Sequence, residues 1–289
     1  MTEVEHLPQL PERNSDGHKG TFGRAMLVAG SRGMSGAAVL SGLGALRSGA
    51  GLVYVAIPEN IVDVVATCEP SYLTIPLPIE GGGLCSGATS LVHDKAVGMD
   101  AVGLGPGAGR SRSSDQVLLD LIAELDLPMV IDADGLNVLA ESGQAARILS
   151  NKSPRILTPH AGEFARLMKM PIPDVIEHRE ELAIDYASQT KVILVFKGHE
   201  TLVTDSERIY RNRTGNPGMA TGGTGDVLTG LITGLLAQGM SAFEAAQLGV
   251  YLHGLAGDLA AEALTQPGMI ASDLAQSIPQ AWKSFLGKS

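Results

Sequence analysis

Cysteine is almost absent from this chain of 289 residues, which holds only Cys68 and Cys85. Two thiols cannot build a disulfide framework, and neither has a second cysteine at the spacing of metal ligands. We therefore expect two ordinary, partly buried thiols in a reducing compartment.

Basic residues are also scarce, since 21 Lys and Arg stand against 31 Asp and Glu and the net charge is −10. Nucleic-acid binding needs a surface rich in Lys and Arg, so this composition argues against a nucleic-acid partner. A small anionic ligand held by backbone amides is compatible with the charge.

Long apolar runs are missing as well. The longest, 227–237, is interrupted by Gly230 and Gly234, and it is too short to span a bilayer. The polar residues 1–18 lack the apolar core of a signal peptide. The sequence thus predicts a cytoplasmic protein without a membrane partner.

Glycine is what the chain has in excess, with 36 residues in a sequence that is 44 % apolar. This apolar content is enough for a sizeable core. The glycines cluster in loops between apolar runs, and such clusters indicate backbone that approaches a ligand closely.

Short apolar runs rich in β-branched residues alternate with helical patterns. Strands are predicted at Ala25–Ala29, Leu52–Ile57, Ala101–Leu104, Met129–Ile131, Arg155–Leu157 and Val192–Phe196, and helices at 36–48, 115–125, 142–150, 161–169, 174–189, 227–238, 242–263 and 272–285. Residues 201–204 and 208–211 predict an antiparallel hairpin. The Pro- and Gly-rich segment 76–88 predicts an excursion of the chain over the surface. The alternation favours one α/β domain over 1–289, with a mainly parallel sheet flanked by helices on both faces.

Nearly every predicted strand runs into a glycine-rich or polar cluster. These clusters lie at 30–36, 103–109, 132–137, 158–163 and 197–201. Parallel sheets bind ligands beyond the carboxyl ends of their strands. We therefore expect the clusters to form the floor of one cleft.

The strongest cluster is Gly218–Asp226, which leads directly into the predicted helix 227–238. Glycines before a helix let successive amides converge on a phosphate, and the helix dipole adds positive potential. Asp at the start of a helix is typical of an N-cap, but a cap does not explain the five glycines in this loop when Gly215 is counted. We interpret the segment as a phosphate cradle with Asp226 as base.

Other phosphate motifs fit poorly. The pattern Gly-x-x-x-x-Gly-Lys-Ser/Thr does not occur, so a Walker-type loop is absent. Residues 102–109 follow a strand, but Pro106 and the glycine spacing do not match a dinucleotide fingerprint.

Several polar residues keep two interpretations. Glu163 either orients Mg²⁺ through water or lies in a capped first helical turn, while His160 favours ligand contact. Asp132 and Asp134 add acidic groups near a metal or form a turn. Lys197 and Gly198 contact a nucleotide or form a solvated turn, and His253 is expected to be a packed or surface residue.

In combination, these motifs resemble a known family. The Gly-Thr-Gly-Asp element resembles the anion hole and base of the ribokinase-like superfamily, and the ordered set is similar to the ADP-dependent NAD(P)H-hydrate dehydratase family. The matching stretches are Lys19–Gly23, Val28–Ser31, Gly33, Ser35–Ala38, Gly103–Gly107, Asp132–Asn137, Leu157–Glu163, Lys197–Thr201 and Asn216–Asp226. The resemblance implies a core over about 19–286, and we expect no fused epimerase domain because the first motif begins at Lys19.

The resemblance implies that (6S)-NADHX or (6S)-NADPHX is dehydrated to NADH or NADPH while ADP, the phosphoryl donor, becomes AMP and phosphate. It makes Asp226 the catalytic base and the amides of Gly223, Thr224 and Gly225 the anion hole. The hydrate would contact Ala37, Gly105, His160 and Asp226, and the AMP portion would contact Lys197, Gly198, His199, Glu200, Thr201 and Gly225. Mg²⁺ is the implied metal, with Glu163 as its candidate ligand.

Two alternatives stay open at this point. A small-molecule kinase would use the same cradle and base, although many ribokinase-like kinases carry Asn at the position of His160, where the dehydratases are expected to carry His. A nucleotide-binding regulator without catalysis is expected to lack the base, and Asp226 is present. The predicted C-terminal helices and the sheet edges offer surfaces for self-association. We expect a homo-oligomer, in the form of a tetramer.

Overall fold

A single sheet dominates the computed structural model, which describes residues 1–150 and 153–287. Its strands are β1 Thr2–Glu3, β2 Arg24–Val28, β3 Leu52–Pro58, β4 Leu73–Leu77, β7 Ala101–Leu104, β8 Met129–Ile131, β9 Arg155–Leu157, β10 Ile193–Phe196, β11 Leu202–Thr204 and β12 Arg208–Arg211, while β5 Ile79–Glu80 and β6 Gly83–Leu84 form a separate hairpin. The strand order is β1-β12-β11-β10-β9-β8-β7-β2-β3-β4.

The sheet is parallel except around β11, which runs antiparallel to both β10 and β12. In the parallel centre, Leu104 of β7 pairs with Val28 of β2 and Ile131 of β8. The carboxyl ends of these strands therefore meet at one edge. Both the mainly parallel sheet and the hairpin predicted at 201–211 are confirmed.

Helices cover both faces of the sheet, as predicted. They are α1 Ser35–Arg47, α2 Val62–Cys68, α3 Ser86–Ala96, α4 Arg112–Glu124, α5 Asp134–Ser142, α6 Ala145–Ile148, α7 Ala161–Met168, α8 Ile172–Glu177, α9 Arg179–Thr190, α10 Thr224–Ala237, α11 Ala242–Leu264 and α12 Ala271–Leu286. Strand residues alternate between two cores. Leu27 belongs to the core that includes residues of α1, α10, α11 and α12, whereas Met26 and Val28 belong to the core that includes residues of α3, α4, α5, α7 and α9.

The apolar run predicted to be too short for a membrane is the central helix α10. It lies unusually close to α1, because a Cβ on Gly230 would stand 1.7 Å from the Ser41 carbonyl oxygen and one on Gly44 would stand 2.2 Å from that of Val227. Glycine is thus required for this close approach. Within 1–150 and 153–287, no helix is both long and apolar enough to cross a bilayer.

Several element boundaries differ from the sequence prediction. The surface excursion predicted at 76–88 instead contains the end of β4, the β5–β6 hairpin and the start of α3, and Leu84 is buried there. The helix predicted over 174–189 is divided into α8 and α9 at His178.

The helix predicted over 142–150 is confirmed only as the short α6, Ala145–Ile148. Helix α5 begins at Asp134 and is ended by Gly143 in the left-handed region (φ +63°), and only the short α6 follows. The turn interpretation of Asp134-Gly135 is therefore wrong, because both residues lie inside α5.

Candidate active site

The predicted phosphate cradle lies at the amino end of α10. Gly223 caps this helix in the left-handed region (φ +96°), and a Cβ there would stand 2.4 Å from Leu40 Cδ1, so the position favours glycine twice over. Asp226 is the third residue of α10 rather than its cap. Its carboxylate is therefore not used to cap the helix.

Burial raises the pKa of Asp226 to about 7, and the charges of Asp132, Glu163 and Asp134 act in the same direction, whereas Lys197 opposes them. Within the described part of the chain, the Asp226 carboxylate accepts no hydrogen bond. A free carboxylate with a pKa near neutrality has the properties of a general base.

Lys197 follows β10, and its side chain is only 19 % exposed. Its Nζ donates a hydrogen bond to Asp132 Oδ1 at 2.8 Å and lies 3.7 Å from Glu163 Oε2. Burial lowers the pKa of Lys197, but the charges of these two carboxylates outweigh burial and leave the pKa above its ordinary value. The solvated-turn interpretation of Lys197 is thus wrong, because its ammonium is held inside the site.

Asp132 links three elements of the site. Its Oδ1 accepts hydrogen bonds from Lys197 and from the Ala133 amide, and its Oδ2 accepts one from Thr229 Oγ1 of α10 at 2.7 Å. Asp134 Oδ2 in turn accepts from the Gly109 amide at 3.0 Å. Both carboxylates therefore anchor chain segments at the carboxyl edge of the sheet.

The loop after β7 is brought against α1, as expected for one cleft. Gly105 lies in the left-handed region (φ +118°), and a Cβ there would stand 2.0 Å from the Asp132 carbonyl oxygen. A Cβ on Gly107 would stand 2.7 Å from Ala37 Cβ. The structure therefore places Ala37 beside the loop that carries Gly105.

His160 and Glu163 form a capping box at the start of α7. His160 Nδ1 accepts hydrogen bonds from the amides of Gly162 and Glu163, at 3.0 and 3.3 Å. Glu163 Oε2 accepts a hydrogen bond from the His160 amide at 2.8 Å. The capping interpretation is therefore correct, with His160 in the place usually taken by Ser or Thr. The ring is 55 % exposed, so it remains open to a ligand.

The turn 198–201 is held by a residue that sequence reasoning missed. Arg179 of α9 donates hydrogen bonds to the carbonyl oxygens of His199 and Glu200, at 2.6 and 3.1 Å. Thr201 Oγ1 closes the turn on the Gly198 carbonyl oxygen at 3.0 Å. The side chains of His199 and Glu200 are exposed, and no motif connects Arg179 to this turn.

The loop before α10 rests on α11 at Asp258 and Gly254, two residues that sequence reasoning missed. Asp258 accepts the Gly215 amide at 2.8 Å and Asn216 Nδ2 at 3.0 Å. A Cβ on Gly254 would stand 2.3 Å from Thr214 Oγ1, so the loop lies directly on the helix. The packed interpretation of His253 is confirmed, because this residue is buried.

Among the residues that the structure describes, no group of three or more His, Cys, Asp or Glu side chains is arranged to hold a metal ion. Glu163 Oε1 nevertheless accepts no hydrogen bond there and lies 3.5 Å from His160 Nε2. One hard carboxylate oxygen suits Mg²⁺, which keeps most of its water. Glu163 thus fits the part of a contact through water.

A model of the NAD(P)H-hydrate dehydratase family matches residues 25–280. The chain belongs to this family. It is 34 % identical over 285 residues to the ADP-dependent (S)-NAD(P)H-hydrate dehydratase of Bacillus subtilis and covers 98 % of both proteins. It is 40 % identical over 280 residues to the bifunctional NAD(P)H-hydrate repair enzyme of Moorella thermoacetica, with 96 % of this chain and 52 % of that protein covered. The chain therefore spans about half the length of the bifunctional curated relatives that it matches.

Solved structures share the fold of this dehydratase-family chain. The Bacillus subtilis ADP/ATP-dependent NAD(P)H-hydrate dehydratase, co-crystallised with ATP/Mg²⁺, matches with a TM-score of 0.80 and 32 % identity, covering 96 % of this chain and 94 % of that one. A ribokinase-like superfamily protein of Enterococcus faecalis matches with a TM-score of 0.81 and 28 % identity, covering 96 % and 92 %. The predicted ribokinase-like fold is confirmed.

Proposed function

We propose that this chain catalyses the ADP-dependent dehydration of (6S)-NADHX or (6S)-NADPHX to NADH or NADPH, with release of AMP and phosphate. The observation that carries the proposal is Asp226, a carboxylate without a hydrogen-bond partner in the described part of the chain, in the first turn of the glycine-capped helix α10. A base beside an anion hole is what phosphoryl transfer to a hydroxyl requires. The dehydratase family match supports the choice of substrate.

In the first step, Asp226 would take the proton of the C6 hydroxyl as this oxygen attacks the terminal phosphorus of ADP. A bond forms between phosphorus and the C6 oxygen, and the bond between phosphorus and the AMP oxygen breaks. The amides of Gly223, Thr224 and Gly225 would donate hydrogen bonds to the transferring group. A pKa of about 7 leaves Asp226 sufficiently ionised at neutral pH and still basic enough to take the proton.

In the second step, the phosphate installed on C6 leaves. Hydroxide is a poor leaving group, whereas phosphate is a good one. The lone pair of the ring nitrogen expels phosphate as the bond between C6 and oxygen breaks, and loss of the C5 proton restores the dihydropyridine. The oxygen of the hydrate leaves in the phosphate, so one hydrate and one ADP give one reduced dinucleotide, one AMP and one phosphate.

The remaining parts of the site are assigned on the family resemblance. Ala37, Gly105 and His160 would contact the hydrate; Lys197, Gly198, His199, Glu200, Thr201 and Gly225 would contact the AMP portion. Mg²⁺, when bound, would neutralise charge on the phosphates, and Glu163 is the residue that would hold it through water. We further propose that the chain forms a single domain and that it acts as a cytoplasmic homo-tetramer. The one continuous main sheet supports the single domain.

The direct test is to incubate the purified chain with hydrated NADH and ADP. We expect the absorbance of reduced nicotinamide to return, with AMP, phosphate and NADH formed in equal amounts. Asp226→Asn should lower kcat by about 10³-fold and leave ADP bound, as measured by calorimetry. Asp94→Asn, the same change at an exposed residue of α3, is the matched control.

Absence of NADH formation by the wild-type chain would refute the proposal. If the chain instead transferred phosphate from ATP to a vitamin precursor without forming NADH, it would be a kinase. Nucleotide binding without any turnover would favour the regulator. Running the assay with ADP and ATP in parallel, on hydrated NADH and on hydrated NADPH, also measures which nucleotide and which hydrate the chain prefers.

A further inference from the structure

The buried imidazole of His253 reaches the backbone of the phosphate cradle from α11. Its Nε2 lies 2.8 Å from the carbonyl oxygen of Thr224, the first residue of α10. A carbonyl oxygen only accepts hydrogen bonds, so Nε2 carries the proton and His253 is the donor. Burial lowers the pKa of His253 to about 4, in agreement with a neutral ring at neutral pH.

The acceptor belongs to a peptide unit that matters for the proposed chemistry. The carbonyl of Thr224 and the amide of Gly225 are parts of the same planar peptide group. A hydrogen bond that fixes the direction of one therefore fixes the direction of the other. The Gly225 amide is one of the three donors assigned to the anion hole.

The hydrogen bond also polarises this peptide. A donor on the carbonyl oxygen strengthens the amide of the same group as a donor, because hydrogen bonds in a chain polarise one another. The effect is larger in a buried site than in water, and His253 is buried. His253 thus acts on the Gly225 amide in both direction and strength.

The architecture around His253 favours this contact. Gly257 lies one turn after His253 on α11, and a Cβ there would stand 2.4 Å from Met219 Sδ. On the side facing α10, a Cβ on Gly249 would stand 2.5 Å from Ile232 Cγ1. These glycines hold α11 close enough to the cradle for the imidazole to span the gap.

We propose that His253 is a positioning residue of the anion hole, which orients the Gly225 amide toward the transferring phosphoryl group through the Thr224 carbonyl. The inference rests on the proposed function, since it needs phosphoryl transfer at this cradle. His253 does not touch the substrate in this scheme. Because the Gly225 amide is also assigned to the AMP portion, a small effect on nucleotide binding is expected beside a larger effect on the transition state.

The test compares two amide side chains at position 253. Gln places its terminal amide nitrogen near the position of imidazole Nε2, whereas Asn is too short to reach the Thr224 carbonyl. We expect His253→Asn to lower kcat by about tenfold or more while the Kd for ADP changes by less than about threefold, and His253→Gln to stay within about threefold of wild type in kcat. Thermal unfolding of both variants checks that they are folded, and His253→Leu, which has no side-chain donor, replaces His253→Asn if that variant does not fold.

Wild-type kcat in His253→Asn or His253→Leu would overturn the proposal, and so would an equal loss in the Gln and Asn variants. A loss confined to ADP affinity would also overturn it, because that result indicates a role in binding alone. Failure of the proposed function looks different: the wild-type chain itself would form no NADH in the same assay.

Discussion

The Lys197 ammonium lies 2.8 Å from Asp132 Oδ1, inside a site that also holds Glu163 and Asp226. The other Asp132 oxygen accepts a hydrogen bond from Thr229 of α10, so the ion pair connects the ends of β8 and β10 with the helix that carries Asp226. One buried cation is thereby fixed among several carboxylates. It lowers the pKa of Asp226, whereas Asp132 raises it.

This arrangement predicts the pH dependence of the reaction. In the proposed reaction Asp226 must be ionised to act as base, so kcat/KM for the hydrate should rise with pH through a midpoint near 7 and level off above it. Lys197→Met removes the cation that lowers the pKa of Asp226 and should move this midpoint to higher pH. Asp132→Asn should move the midpoint to lower pH. Rate profiles of both variants with hydrated NADH measure the shifts, and movement in the same direction would contradict this assignment of charges.

The raised pKa of Asp226 also predicts an effect on stability. The folded-state pKa, about 7, lies above the ordinary value of 3.8, so the folded chain binds the proton more strongly than the unfolded chain. The stability from this group is complete below pH 3.8 and is lost as pH rises through about 7. Asp226→Asn never ionises and should therefore have the higher Tm, by ~4 °C at pH 8 and by less at pH 5.

Thermal unfolding across this pH range tests the stability effect. The exposed control Asp94→Asn should show a Tm difference from wild type that does not grow between pH 5 and 8. If the two variants followed the same pH dependence, the shift would not belong to Asp226.

The fold was predictable to a large extent because its central strands carry a strong local signal. Ala101–Leu104, Met129–Ile131 and Arg155–Leu157 are short, mainly apolar runs that each contain Val or Ile, and the structure has strands with these same bounds. Leu73–Leu77 was missed, since it is an edge strand that contains Pro76, a residue that cannot donate to a ladder.

The site was predictable where topology alone brings residues together. Residues that follow parallel strands meet at one edge, which is why Lys197 and Asp132 are in contact although 65 positions separate them. Arg179, His253 and Asp258 were not identified as site residues, because they lie on helices whose placement over the loops depends on tertiary packing. Their hydrogen bonds to the site cross 20, 29 and 43 positions, without a sequence motif to indicate them.

His160 caps α7 and is proposed to contact the hydrate, and a pair of variants can separate these two roles. His160→Ala removes the cap of α7 and should lower the free energy of unfolding by about 1 kcal/mol. His160→Ser restores a capping box with Glu163 and should keep wild-type stability. Both variants lose the imidazole and should raise KM for the hydrate by about tenfold. Steady-state kinetics and thermal unfolding measure the two effects, and an unchanged KM in the stable His160→Ser variant would remove His160 from substrate binding.

Asp258 and Asn216 offer a test by exchange of their side chains. Asp258 accepts both the Gly215 amide and Asn216 Nδ2, while Asn216 Oδ1 accepts the Gly218 amide. Asp258→Asn leaves two amide groups facing each other, which costs about 1–3 kcal/mol in the loop contact. We expect this loss to loosen the loop before α10 and to lower kcat by about tenfold.

The double variant Asn216→Asp, Asp258→Asn reverses the polarity of the pair and restores every hydrogen bond. The side-chain NH2 at position 258 donates a hydrogen bond to one carboxylate oxygen at position 216, and the side-chain oxygen at position 258 still accepts one from the Gly215 amide. The second carboxylate oxygen at position 216 accepts a hydrogen bond from the Gly218 amide. The double variant should therefore return kcat to within about threefold of wild type, although each single variant is impaired. Steady-state kinetics of the four proteins form a double-mutant cycle. Losses that simply add would mean that Asp258 supports the cradle by some route other than Asn216, because only a direct contact makes the second substitution compensate for the first.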